Sequence, residues 1–183
     1  SGKYAYFWSE YRCASGDCSI YVMEIFYAML DRAGNVLGSV RKVYDFGSPP
    51  NSYVDVGPVA AVTPSGQVAI AWWREGWRSD GAFNDNVFMA VINPDGNFAV
   101  SPTNLTNYTT WATYGTYGHD MYYNPAITVA EGSNILYAYS MQEEVAPVGA
   151  CTAECWVNNV MYGVRNASGG SVRVDGMDVR DWN

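Results

Sequence analysis

Residues 58–97, PVAAVTPSGQVAIAWWREGWRSDGAFNDNVFMAVINPDGN, decide how the chain reads. Val59–Val62 is a short apolar run closed by Pro64-Ser65-Gly66, Gln67–Trp73 follows at once, and Val87–Ile92 is closed by Asn93-Pro94-Asp95-Gly96-Asn97. Pro fixes φ, while Gly and Asn reach the φ > 0 conformations that reverse a chain between antiparallel strands. The stretch is therefore expected to form a meander with two tight turns and one long irregular loop, residues 74–86. Both parities of Gln67–Trp73 are apolar: Val68, Ile70 and Trp72 face one way, Ala69, Ala71 and Trp73 the other. Such a strand belongs to a sheet covered on both sides.

The pattern recurs. Ser1-Gly2-Lys3-Tyr4-Ala5-Tyr6-Phe7-Trp8 aligns with Ser65–Trp72 and, up to one residue at the turn, with Gly132–Tyr139. Downstream, Ile25–Leu30, Val87–Ile92 and Val160–Arg165 align, each followed by a glycine turn at Gly34, Gly96 or Gly169. Repetition at this period marks repeated supersecondary units. Three segments result: 1–57, a partial unit holding strands two to four, the last at Val36–Val43; 58–107, a complete central unit; and 108–183, an aromatic connector, a third unit and a tail from Asp175 with no counterpart. The chain opens where the other units have the turn before their second strand, so a longer parent or a first strand from elsewhere is expected. Helical periodicity is nowhere convincing, and short runs of β-branched and aromatic residues point to strands throughout. The expected fold is all-β: a propeller-like array of four-stranded antiparallel blades, two complete and one partial, too few to close alone. A β-sandwich with incidental repetition is the alternative.

Composition narrows the function classes. A net charge of −8, from 18 acidic and 10 basic residues, argues against nucleic acid, whose binding depends on neutralising phosphates. No run approaches the roughly 20 apolar residues of a membrane-spanning helix, so membrane insertion is not expected. The four cysteines fall in two close pairs, Cys13 with Cys18 and Cys151 with Cys155, each in the same loop of its unit. They read as two disulfides made in an oxidising, extracellular compartment; a four-cysteine zinc site competes less well, lacking C-x₂-C spacing. Asn104, Asn107 and Asn166 each open an N-x-S/T triplet and are candidate glycan acceptors.

The pattern of Pro58–Trp72, Val87–Asn97 and Thr103–Thr106 resembles the tandem propeller repeats of large secreted bacterial surface proteins. That resemblance implies a fold and an extracellular setting, and it identifies no catalytic residue. Asn93–Phe98 shares Asp95 and Gly96 with the Asp-box turn of sialidase propellers but lacks its Trp, so it carries no sialidase activity over.

In such an array the long loops between strands two and three and the long connectors open on one face. The candidate ligand-binding residues there are Trp77, Arg78, Asp80, Trp111, Tyr114, Tyr117, His119 and Asp120, beside Arg74, Glu75, Asn84 and Asp85. Rings next to carboxylates and amides suit sugars, whose C–H faces stack and whose hydroxyls hydrogen-bond; the plainer reading is that Trp77 and Trp111 pin their own loops. Asp80, Asn84 and Asp85 are a weak Ca²⁺ candidate, without EF-hand spacing. No other cofactor or metal is called for. His119, the only histidine, has no Gly-x-Ser-x-Gly partner, and a carboxylate pair such as Glu75 with Asp120 could in principle perform glycoside hydrolysis, although any acidic chain offers such pairs. The expected function is a non-enzymatic extracellular module binding glycans or proteins. The alternatives are a fibre or surface-layer subunit joining neighbouring copies by strand addition, and a fragment of a carbohydrate-active enzyme.

Overall fold

The structure, a computed structural model, describes residues 2–111, 120–144, 156–168 and 170–177. It is all-β, as expected. The strands are β1 (Tyr4–Cys13), β2 (Tyr21–Leu30), β3 (Arg41–Lys42), β4 (Ser52–Val62), β5 (Val68–Trp77), β6 (Phe83–Ile92), β7 (Phe98–Asn104), β8 (Asp120–Val129), β9 (Ile135–Glu144), β10 (Trp156–Arg165) and β11 (Ser171–Met177). β4–β7 and β8–β11 are each a four-stranded antiparallel meander, and β1–β3 form a shorter one. A two-residue parallel pairing, Val22 with Tyr53 and Met23 with Val54, joins the first meander to the second in one mixed seven-stranded sheet. The third meander is a separate four-stranded sheet, and both sheets are open.

The turns follow from the residues that read as turns. Gly34, Gly66 and Gly96 sit at φ +87°, +82° and +83°, where a Cβ is disfavoured. Each donates its N–H three residues back, to Asp31, Thr63 or Asn93. Gly169 lies outside the described residues. Two other punctuation points fall inside strands. Gly57-Pro58 in β4 and Asn124-Pro125 in β8 share a left-handed residue followed by Pro, and the register shifts at both, between Val56 and Val59 and between Tyr123 and Ala126. A bulge accommodates a proline that cannot donate to the ladder, so both strands begin upstream of their prolines.

Three expectations need correction. The supposed irregular loop 74–86 is mostly strand: β5 and β6 pair residue for residue out to Trp77 and Phe83, leaving only the turn 78–82, closed by Arg78 N–H to Ala82 O at 2.8 Å. The supposed strand 36–43 is broken at Gly38 (φ +88°), keeping Leu37 N–H to Met29 O and the short β3. Residues 175–177 of the supposed tail belong to β11, which pairs with β10; residues 178–183 lie outside the described part.

The double-sided apolar pattern of β5 is used as the sequence suggests. Ile70 and Trp72 join Ile25, Tyr27, Met29, Val43, Ala90 and Ile92 in a core against the first meander. Ala69, with Val87, Met89 and Val91, packs against Ile135, Tyr137 and Tyr139 of the third. The second meander is thus the middle layer of three, and Trp72 is fully buried. Truncating it to Ala would cost about 3–5 kcal/mol.

Candidate functional site

Cross-strand register places Trp72 beside Phe88, Arg74 beside Asn86, and Gly76 beside Asn84 on one face of the β5–β6 hairpin, with Asp55 and Tyr53 of β4 next to Arg74 and Gly76. Trp72 belongs to the core with the first meander; the rows beyond it form the floor of a groove of about 580 Å³. Segment 44–50 makes one wall and residues 104–111 the other, with Tyr44, Phe46, Tyr108 and Trp111 among the lining.

Arg74 anchors the floor. Its Nε and Nη2 donate to the two Asp55 oxygens at 2.7 and 2.9 Å, and its guanidinium carbon lies 4.1, 4.4 and 4.1 Å from the ring centres of Tyr44, Phe46 and Phe88. The bidentate fork and the ring faces compensate the desolvation of a buried cation. Burial pushes the Asp55 carboxyl up and the Arg74 fork opposes it. A charged pair of opposite sign leaves the floor nearly neutral in an acidic protein. The rings beside it are ordered too. Phe46 stacks on Tyr53 with centres 5.1 Å apart, and Trp111 meets Tyr53 edge-on at 6.4 Å. Gly76 makes room for both: a Cβ there would come within 3.0 Å of each ring.

The connector wall is held by amides. Asn86 Oδ1 accepts from Tyr108 N–H (2.9 Å), Asn104 Nδ2 (2.9 Å) and Thr106 Oγ1 (2.8 Å), and Asn84 Nδ2 donates to the Thr110 carbonyl at 2.6 Å. These side-chain bonds tie Asn84 and Asn86, polar as they are, to the connector and hold them in the strand. The opposite wall is tied down by buried Glu24, which accepts from Arg12 (2.9 Å), Lys42 and the Phe46 N–H. Burial raises the Glu24 carboxyl, and Arg12, Lys42 and the Phe46 N–H more than offset it, so the net shift is downward. The network fixes the base of segment 44–50.

The residues singled out from sequence separate. Trp111 lines the groove, with the Arg78 guanidinium 5.8 Å from its ring centre. Arg78 pairs with Asp80 at 2.6 Å in the hairpin turn. Trp77 is on the other face of β5, packed on Phe83 at 5.7 Å, so the two tryptophans do not share a site. Asp120 opens β8, opposite Glu143; Tyr114, Tyr117 and His119 lie outside the described residues. The Ca²⁺ candidates do not converge: Asp80 accepts from Arg78 and Ala82 N–H, and Asn84 and Asp85, adjacent on β6, face opposite sides. Among the described residues no group of three or more His, Cys, Asp or Glu could hold a metal ion.

The cross-strand neighbour of Glu75 is another carboxyl, Asp85. Asp85 is 9% exposed, and burial, then the Glu75 charge, push its carboxyl up to about 7. This pair occupies the face away from the groove. Cys13 and Cys18 form a disulfide as expected; Cys151 and Cys155 lie outside the described residues. Asn104 is engaged by Asn86, Thr106 and Asn107, Asn107 is exposed, and Asn166 Oδ1 accepts from Ser168 and Gly170.

Sequence reasoning missed Tyr44, Phe46, Tyr53 and Phe88. The available signal was three rings spaced through an apparent linker, together with Arg74 and Gly76 on the parity of Trp72. Among the described residues no helix is long and apolar enough to cross a membrane. Comparison with protein-family models, curated proteins and solved structures found no match.

Proposed function

We propose that the chain is an extracellular, non-enzymatic β-repeat module, its meanders the blades of a propeller-like array, that binds a neutral glycan in the groove of the second meander. The observation that carries this reading is the groove lining: Tyr53 and Trp111 set edge-on over Gly76, beside Asn84, above a charge-compensated Arg74–Asp55 floor. Sugar rings present flat C–H faces to aromatics and a belt of hydroxyls to amides and carbonyls, so they need apolar planes and polar edges together. A floor without net charge favours a neutral ligand over an anionic one, and the protein's overall −8 reinforces that preference. The Cys13–Cys18 disulfide supports an oxidising compartment.

The test is titration calorimetry against a panel of neutral oligosaccharides. A hit should weaken about tenfold or more, ~1.4 kcal/mol, on Trp111→Ala and be unchanged on Trp77→Ala. No binder across the panel, or equal losses in the two variants, would sink the reading.

A further inference from the structure

Arg74 is a buried cation with part of its donor set unspent. Its side chain is 9% exposed, and its Nε and Nη2 donate to the two oxygens of Asp55. Nη1 has no hydrogen-bond partner among the described residues, and it is not sealed off inside the protein. Arg74 lines the groove, so the part of the guanidinium that reaches the groove is a pair of N–H donors. A donor on a desolvated cation is a strong site for an acceptor, because the bond it makes is charge-assisted.

The surroundings select among the oxygens that a sugar offers. The ring centres of Tyr44, Phe46 and Phe88 lie 4.1, 4.4 and 4.1 Å from the guanidinium carbon, so an acceptor that reaches Nη1 enters a collar of rings. A carboxylate there would bring a second anion to a cation that Asp55 already balances, in a protein of net charge −8. A hydroxyl accepts, but it carries a hydrogen of its own, for which the collar offers only ring faces. An amide carbonyl has no such hydrogen to satisfy. The acetamido group of an N-acetylhexosamine presents that carbonyl with a methyl beside it. Phe46 and Tyr53, which stack 5.1 Å apart and both line the groove, give the methyl an apolar surface.

We propose that the ligand of the groove is an N-acetylated amino sugar, its acetamido carbonyl accepting from Arg74 Nη1 and its methyl resting on the Phe46 and Tyr53 rings. The inference rests on the glycan reading of the groove and adds the group that decides between neutral sugars. Arg74 then has two roles: it balances Asp55 through Nε and Nη2, and it sets specificity through Nη1.

Titration calorimetry with matched sugars tests it: N-acetylglucosamine oligomers against the corresponding glucose oligomers, and N-acetylgalactosamine against galactose. In at least one pair the acetylated member should bind about tenfold or more tightly. Arg74→Lys keeps a cation opposite Asp55 without the planar fork, and should bring the two members of that pair within about threefold of each other. Circular dichroism checks that the variant folds. Nitrogen–proton spectra of the wild-type guanidinium read the same contact without a substitution, and the Arg74 Nη1 resonances should shift as the acetylated sugar is added. Equal affinities within every pair, a preference that a folded Arg74→Lys keeps, or Arg74 resonances that do not move would overturn the inference and leave the groove reading standing. Tighter binding of an acetylated-lysine peptide than of any sugar would overturn it by giving the carbonyl to a protein ligand. Failure of every sugar to bind would overturn it together with the groove reading.

Discussion

Replacing Asp85 by Asn separates a carboxyl that is merely buried from one that contributes as a charge. Asp85 lies opposite Glu75 with its pKa raised from 3.8 to about 7, chiefly by burial and then by the Glu75 charge. A group that binds its proton more tightly when folded supports stability fully below its unfolded pKa and loses that support as pH rises to the folded value. The stability of the wild-type protein should therefore fall between about pH 4 and pH 7 and level off above. A shift of about 3 units at 1.36 kcal/mol each is a penalty of about 4 kcal/mol above pH 7. The amide is nearly isosteric and never ionises. Asp85→Asn should match wild type near pH 4 and exceed it by about 3–4 kcal/mol near pH 8, as read from urea unfolding with the disulfide intact. Glu75→Gln, which removes only the lesser cause, should recover a smaller part. Equal differences at both pH values, or a loss of stability near pH 8, would refute the assignment and point to an ionised Asp85.

Other perturbations address the groove and its supports. Arg74→Ala should strand the buried Asp55 and cost about 3–5 kcal/mol in denaturant titration, and Asp55→Asn combined with it should recover part of that cost. Gly76→Ala pushes a methyl against Trp111 and Tyr53, so glycan affinity should fall about tenfold with stability changed by less than about 1 kcal/mol. Cys13→Ser with Cys18→Ser opens a loop of sequence separation 5 and should cost about 2 kcal/mol in thermal unfolding, with the groove unaffected.

Where the backbone itself dictated the answer, the fold was legible. Val68–Trp73, apolar on both parities, could only belong to a covered sheet, and two separate cores now sit on its two faces. Gly34, Gly66 and Gly96 marked turns because each takes a positive φ. The extension of β5 and β6 was illegible because Arg74, Glu75, Asn84 and Asp85 interrupt the apolar run. Two of these are held in the sheet by partners remote in sequence: Asp55 for Arg74, and the Tyr108 and Thr110 carbonyls for Asn84. The groove was half legible for the same reason. Trp111 stands out as a ring in a connector, whereas Tyr44, Phe46 and Tyr53 lie in a stretch with linker composition that Glu24 and Arg74, both remote from it in sequence, hold against the sheet. Trp77 was misplaced because, in a supposed loop, its parity carried no information.

The groove is tested most directly by mapping amide and indole chemical shifts as a neutral oligosaccharide is added. Shifts confined to the Trp111 indole N–H, the Asn84 side-chain amide and the Gly76 backbone, saturating together, are the predicted result. Shifts centred on Trp77 and Phe83 on the opposite face, or none with any sugar, would contradict the account.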